Sequence, residues 1–288
     1  MIIDVHTHPV CKDLTPVPDP NTLIKSMFGE RAKTEKSQMV INGFLFLHQN
    51  QTIEDFVKAF TSAGVDKAVI VPMDMSASYG TQLGTNEDIS RMVNKIPDKL
   101  IGFASVDPNR KFAVNVLEYA IAKLKLKGLK LVPPLQKFYP NDEKYYPLWE
   151  KALELNIPMW SHTGHQFSVP TSVAKYGQPM LWDEVALRYP DLTIIMGHLA
   201  APWYMDAWSI CLRHENAYLD VSVWHSLYPY FPWQAFTDNG IEHKLLFATD
   251  FPFTPFDVGI KAVKDLPISE SFKRKILGEN AQKLLDIK

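Results

Sequence analysis

Asp4-Val5-His6-Thr7-His8-Pro9 runs on from the first apolar stretch of the chain, Ile2–Val5, and its reading decides the fold. An open, doubly wound α/β sheet carries a glycine-rich phosphate loop after its first strand. Here two histidines stand in that place. Residues i and i+2 of a strand face the same side, so His6 and His8 turn together, toward the lumen if the sheet closes into a barrel. Two neutral imidazoles side by side can chelate one divalent ion. A His-x-His pair alone is weak grounds for a metal site, so the rest of the chain has to carry the argument.

Working outward, short apolar runs rich in β-branched residues alternate with longer stretches of helical period. The strand candidates are Ile2–Val5, Ala68–Val71, Ile101–Val106, Gly128–Val132, Ile157–Ser161, Leu192–Met196, Ala217–Val221 and Lys244–Ala248. Between them, Thr52 and Asp55 have capping-box spacing ahead of a helix over Ile53–Ala63, which Gly64 ends. Asn86 is the expected cap of Glu87–Ile96. Lys111–Leu126, Lys144–Leu155, Pro179–Tyr189, Pro202–His214 and Ser271–Leu285 follow the same logic, whereas proline and aromatic residues blur the period of Pro229–Asn239. Eight strands, each followed by a helix, predict a (β/α)8 TIM barrel of the α/β class. Such barrels take about 250 residues, so the 288 of this chain suit one domain over 1–288.

Composition narrows the function classes. A formal net charge of −2 gives no reason to expect nucleic acid or an anionic membrane as partner, and the expected partner is a small-molecule substrate. Cys11 and Cys211 are the only cysteines, which argues against a disulfide framework and leaves any metal to other ligands. The opening Met1-Ile2-Ile3-Asp4 has no signal-peptide pattern, and no run approaches the ~20 apolar residues that span a bilayer. A cytoplasmic location is the expectation, with a symmetric homodimer as the default assembly.

The connection from Pro9 to Gln51 is long for a compact domain and holds Pro16, Pro18, Pro20 and the run Arg31-Ala32-Lys33-Thr34-Glu35-Lys36. It follows strand one and so emerges on the face where barrels keep their active sites. Residues 9–51 are therefore read as an insertion, either a substrate-covering lid or a surface excursion. Phe44-Leu45-Phe46-Leu47 suggests that part of it packs. Arg31, Lys33 and Lys36 can meet a substrate carboxylate, although a solvated charge run is the default reading.

Strand five ends Met159-Trp160-Ser161-His162, strand six ends Met196-Gly197-His198 and strand eight ends Ala248-Thr249-Asp250. With His6 and His8, four of nine histidines mark three strand ends. Core histidines would not share one rim, so the coincidence points to a metal site. His165 and His225 fall near the mouth and are candidate substrate contacts, as is Trp160. Trp160, Trp203, Trp224 and Phe251 can wall an apolar pocket, while His48, His214 and His243 read as surface or loop residues.

Asp4-Val5-His6-Thr7-His8-Pro9, Ser161-His162-Thr163, Met196-Gly197-His198 and Ala248-Thr249-Asp250-Phe251-Pro252 together resemble the amidohydrolase superfamily. More narrowly they resemble the branch that holds aminocarboxymuconate semialdehyde decarboxylase, aromatic-acid decarboxylases and lactonases. The likeness extends to Ile276-Leu277-Gly278-Glu279-Asn280-Ala281. It implies that His6, His8 and His162 ligate one divalent metal, zinc first, with manganese and iron(II) as alternatives. Asp250 is implied as a further ligand or proton carrier, and His198 as the histidine that orients a water or touches substrate. Two reactions follow from such a set. In the first expectation a metal-activated water attacks an amide, lactone or ester of a small carboxylate-bearing substrate; the alternative is non-oxidative decarboxylation of a small aromatic or unsaturated acid, with a protonated Asp250 or its water delivering a proton to carbon. A barrel that only binds is disfavoured, because clustered ionisable groups cost desolvation energy. Lys130 lies on the strand from which binuclear members of the superfamily supply a bridging lysine, yet a lumenal lysine paired with a carboxylate is the preferred reading here.

Overall fold

The computed structural model describes residues 1–14, 27–29 and 33–287. Among these residues a (β/α)8 barrel is formed by β1 (Ile3–Thr7), β2 (Lys67–Ile70), β3 (Leu100–Gly102, resumed at Ala104–Ser105), β4 (Leu129–Leu131), β5 (Met159–Ser161), β6 (Ile194–Met196), β7 (Ala217–Asp220) and β8 (Leu245–Leu246). Neighbouring strands pair in parallel. β3 changes partner at Phe103: its N–H reaches Ile70 O at 3.1 Å, whereas Ala104 N–H turns to Gly128 O at 2.7 Å. The ring closes where Val5 N–H donates to Phe247 O at 3.0 Å and Asp250 N–H to His6 O at 2.9 Å. Several strands are shorter than the apolar runs that announce them, because only part of each run keeps ladder pairing while its flanks still pack as core.

Alternation along the strands produces two apolar layers. Ala68, Ile70, Leu129, Leu131 and Met159 face the surrounding helices. Val5, Val69, Trp160, Ile195 and Leu246 make a smaller cluster inside the barrel. β1 departs from strict alternation: Asp4 pairs with Ala68 but Thr7 with Ile70, so one extra residue of β1 stands between the two pairs. Such a bulge re-aims side chains. Val5 packs in the interior cluster, and the next residue, His6, also faces the cavity above it.

The expected capping box of Thr52 and Asp55 is present at Ile53–Ser62. The following helix differs at its start, spanning Asn86–Lys95 with Thr85 as cap in a second box with Asp88. Asn86 is drawn away by Ser105: its amide donates to Ser105 O at 3.1 Å and its Oδ1 accepts from Ser105 N–H at 2.8 Å. The terminal helical stretch keeps its expected extent but contains a π turn at Lys275–Glu279 between Glu270–Arg274 and Asn280–Leu284. There Ile276 O accepts Phe247 N–H at 2.9 Å, and Gly278 lies so close to Met1 that a Cβ would sit 2.2 Å from Met1 O.

Elements beyond the sequence reading include a hairpin of Met73–Met75 with Thr81–Leu83, the helix Phe256–Lys264, and α1 (Glu35–Asn50), capped by Thr34. α1 occupies the second half of the connection after β1. Cys11 and Cys211 are free and buried. No helix among the described residues is long and apolar enough to cross a membrane.

Candidate metal centre and its cavity

At the C-terminal end of the barrel, β1 and the segment after β8 bring three ligand atoms together. His6 Nε2 and His8 Nε2 are 3.2 Å apart, and Asp250 Oδ1 lies 3.3 Å from each. Metal–nitrogen and metal–oxygen bonds of about 2.0–2.2 Å at tetrahedral or octahedral angles place neighbouring ligands about 3 Å apart. The triangle therefore fits one divalent ion, and among the described residues it is the group that meets the geometry for one. His8 Nδ1 is 3.2 Å from Val71 O, a contact that places the proton on Nδ1 and leaves Nε2 free to ligate. Asp250 holds a left-handed backbone, φ 57°, which non-glycine residues adopt at a cost and chiefly where surrounding structure imposes it. Its N–H bond to His6 O is part of that imposition.

His162 lines the same cavity but stands outside the triangle. Its Nε2 is buried without a hydrogen-bond partner, and its ring packs 4.3 Å from that of His198. An orphaned imidazole nitrogen in a cavity lined by His6 and His8 is a lone pair free to ligate. His198 reaches the cavity from a left-handed backbone after Gly197, φ 60°, with its Nδ1 3.9 Å from Asp250 Oδ2. Gly197 is needed for its size: a Cβ there would lie 2.4 Å from the Trp160 ring.

The floor is buried, and its charges respond. Burial pulls the imidazoles of His6, His162 and His198 well below their ordinary range, with nearby Lys130 adding to the effect. Neutral imidazoles keep the lone pairs a metal needs. Burial likewise pushes the Asp250 carboxyl upward, opposed by His8 and Lys130. The Lys130 ammonium is driven well below its usual range by desolvation. Contrary to the sequence expectation, Lys130 makes no ion pair with a carboxylate within 4.0 Å among the described residues: its Nζ is 2.7 Å from His6 Nε2 and 3.2 Å from the centre of the Trp160 ring. The barrel interior offers an imidazole and an indole face at that depth, and Asp250 and Asp220 act on the ammonium only through space.

Above the floor lies a cavity of about 90 Å³. Its wall is apolar: Val40, Ile41, Phe44 and Leu45 of α1, with Phe28, Met73, Val132 and Phe253. Gln166 and Ser168 supply the polar exceptions.

The amidohydrolase family pattern matches residues 3–287. The chain belongs to the amidohydrolase family. A γ-resorcylate decarboxylase of Polaromonas sp. (strain JS666 / ATCC BAA-500) is 25% identical over 270 residues, covering 76% of this amidohydrolase and 80% of the relative. Among solved structures, a TIM-barrel protein of Bordetella bronchiseptica superposes with a TM-score of 0.74 at 21% identity, covering 99% of this chain and 98% of that one. A dihydroxybenzoic acid decarboxylase of Polaromonas sp. JS666, solved with bound manganese and the inhibitor 2-nitroresorcinol, superposes with a TM-score of 0.70 at 21% identity, covering 99% and 97%. These likenesses establish the barrel.

The candidate substrate contacts fall elsewhere in the amidohydrolase fold. Trp160 is buried beneath the floor, its ring 3.9 Å from that of His6, and it supports the ligand from below. His165 is exposed and packs on Trp203 at 4.9 Å. His225 packs on Tyr228 at 5.1 Å. None of the three is among the cavity-lining residues. Trp224 meets Phe167, and Phe251 stacks on Phe256 in the outer layer, so the aromatic wall is made by Phe28, Phe44 and Phe253 instead. His214, read as a surface residue, is buried and bonded to Asp183 at 2.8 Å; His243 is exposed. His48 lies on α1. Lys36 is exposed, with Nζ 5.5 Å from the Phe167 ring, Lys33 is exposed, and Arg31 lies outside the described residues. Asp220 and Ser222, at the end of β7, were missed. Asp220 offered a weaker signal than Asp250, an ionisable residue inside the apolar run Ala217–Val221 rather than at its end.

Proposed function

We propose that this amidohydrolase is a metal-dependent carboxy-lyase that removes CO2 from a small aromatic acid. The observation that carries the reading is the union of a ligand triangle with an apolar, aromatic wall directly above it. The decarboxylase relatives turn the choice the same way. Hydrolysis, the first expectation, would use the same floor but draws less support from the relatives and the wall.

In this reading His6, His8, His162 and Asp250 would hold the ion, and its positive charge would favour binding of a substrate carboxylate or the hydroxyl beside it. Zinc, manganese and iron(II) all suit the donor set, and manganese is the ion bound in the dihydroxybenzoic acid decarboxylase structure. Asp250, beside the substrate's carboxylated carbon, would deliver a proton to that ring carbon. The carbon–carbon bond then breaks, its electron pair returns to the ring, and CO2 leaves; carboxylate plus proton becomes arene plus CO2. His198 faces the same space and orients the substrate. Phe28, Phe44 and Phe253 keep water away and favour departure of a charged group as a neutral gas. The cavity, about 90 Å³, is smaller than the ~150 Å³ of an engineered cavity that takes benzene, so in this reading α1, which supplies much of the wall, moves outward as a lid to admit a ring.

Metal-loaded protein incubated with γ-resorcylate tests the reading by trapped CO2 and by appearance of resorcinol. Release of both is expected. Turnover of a lactone or ester, with no CO2 from any hydroxybenzoate, would overturn it in favour of hydrolysis.

A further inference from the structure

Behind the floor, Asp220 is completely buried and collects four hydrogen bonds. Its Oδ1 accepts from His198 N–H at 2.8 Å, Ser222 N–H at 3.0 Å and the Ser222 hydroxyl at 2.7 Å, and its Oδ2 accepts from Trp160 Nε1–H at 2.8 Å. Ser222 Oγ is in turn 2.8 Å from His198 Nδ1. We propose that Asp220 and Ser222 are positioning residues that hold the proton of His198 on Nδ1 and so leave Nε2 as the ring nitrogen that carries the lone pair.

Ser222 has one hydroxyl proton and two neighbours to receive it. The Asp220 carboxylate can only accept and is a stronger acceptor than a neutral imidazole, so the proton goes to Asp220 Oδ1, beside the two backbone N–H groups already there. Ser222 Oγ then has nothing but lone pairs to offer His198. A bare Nδ1 at that distance would set lone pair against lone pair, so Nδ1 carries a hydrogen and donates it. This is true of the neutral ring and of the imidazolium alike, and it does not depend on where the ring titrates. The backbone reinforces the arrangement: His198, Leu199 and Ala200 take φ of 60°, 52° and 50° in succession, and the His198 N–H bond to Asp220 anchors the start of that strained turn. Asp220 also grips the indole on which His6 rests, so one carboxylate fixes the orientation of groups on both sides of the floor. A ring nitrogen whose partner fixes its tautomer is the usual way a protein commits a histidine to one task.

The consequence for the reaction rests on the reading of His198 as a group that faces substrate; the tautomer itself does not. The test is therefore free of substrate. Protein labelled with ¹⁵N-histidine and loaded with diamagnetic zinc is examined by long-range ¹H–¹⁵N NMR, with His198→Gln identifying the His198 signals by their loss. A protonated Nδ1 is expected in the wild type. Ser222→Ala is expected to move the proton toward Nε2, and Ser222→Thr, which keeps a hydroxyl, to leave it in place. A proton on Nε2 in the wild type, or a tautomer unchanged in Ser222→Ala, would overturn the proposal. The wild-type spectrum decides even if the alanine variant does not fold. Nδ1–H in a protein that releases no CO2 would retain the relay and discard the reaction.

Discussion

His6, His8, His162, His198 and Asp250 come from the ends of β1, β5, β6 and β8, whereas Val40, Ile41, Phe44 and Leu45 come from one helix in the connection after β1. The first group is held by the ladder of the barrel: Asp250 N–H bonds His6 O, His162 N–H bonds Leu131 O, and His8 N–H bonds Phe251 O. The second group is held by the packing of α1, whose outer face leaves Met39 and Phe46 exposed. Reacting groups need positions fixed to fractions of an ångström, and a closed ladder supplies that. A wall needs only shape and polarity, which a helix docked by side chains can supply and can vary. The floor is thereby assigned to chemistry and the wall to selection.

That division can be broken by substitution. The largest effect is expected at the floor. His8→Ala removes one corner of the triangle and should lower metal affinity by more than the roughly 10–100-fold typical of outer-sphere changes, as read by metal content after dialysis; full occupancy in the purified variant would contradict the assignment. Asp250→Asn should retain part of the metal and lose about 100-fold or more in turnover, the range for a lost proton donor, with wild-type turnover as the contrary result. Trp160→Phe separates a support from a contact. Losing the indole N–H bond to Asp220 should cost about 2 kcal/mol of stability in denaturant unfolding, while KM stays unchanged; a rise in KM with intact stability would restore Trp160 to the substrate wall. Smallest, and confined to the wall, Phe44→Ala should raise KM about tenfold, or about 1.4 kcal/mol, with metal content as in the wild type. A loss of metal in that variant would dissolve the distinction between the two regions.

The same division explains what could be read from the sequence. The floor was legible because strand ends obey a rule: a run of apolar residues closed by His162, His198 or Asp250 puts that residue on one rim. His6 and His8 shared a side by period, although the structure adds a bulge in β1 that the sequence did not announce. Trp160 was misplaced because strand period puts it in the lumen but not at a height, and it lies below His6 rather than above it. The wall was hidden because α1 follows prolines and a charged run, and which of its residues face inward depends on how it docks. Phe44 and Phe253, 5.6 Å apart between ring centres, come from opposite ends of the chain. Ser222 gave no signal, since a serine after a strand is ordinary.

Under the proposed function, one ion in the triangle of His6, His8 and Asp250 is required for loss of CO2. The most direct test is a titration of metal-free protein with manganese or zinc, reading bound metal per chain and CO2 release from γ-resorcylate on the same samples. The account predicts that activity is absent without metal and rises in proportion to it until about one ion per chain is bound. Undiminished CO2 release from metal-free protein, or activity that appears only as a second ion binds, would contradict it.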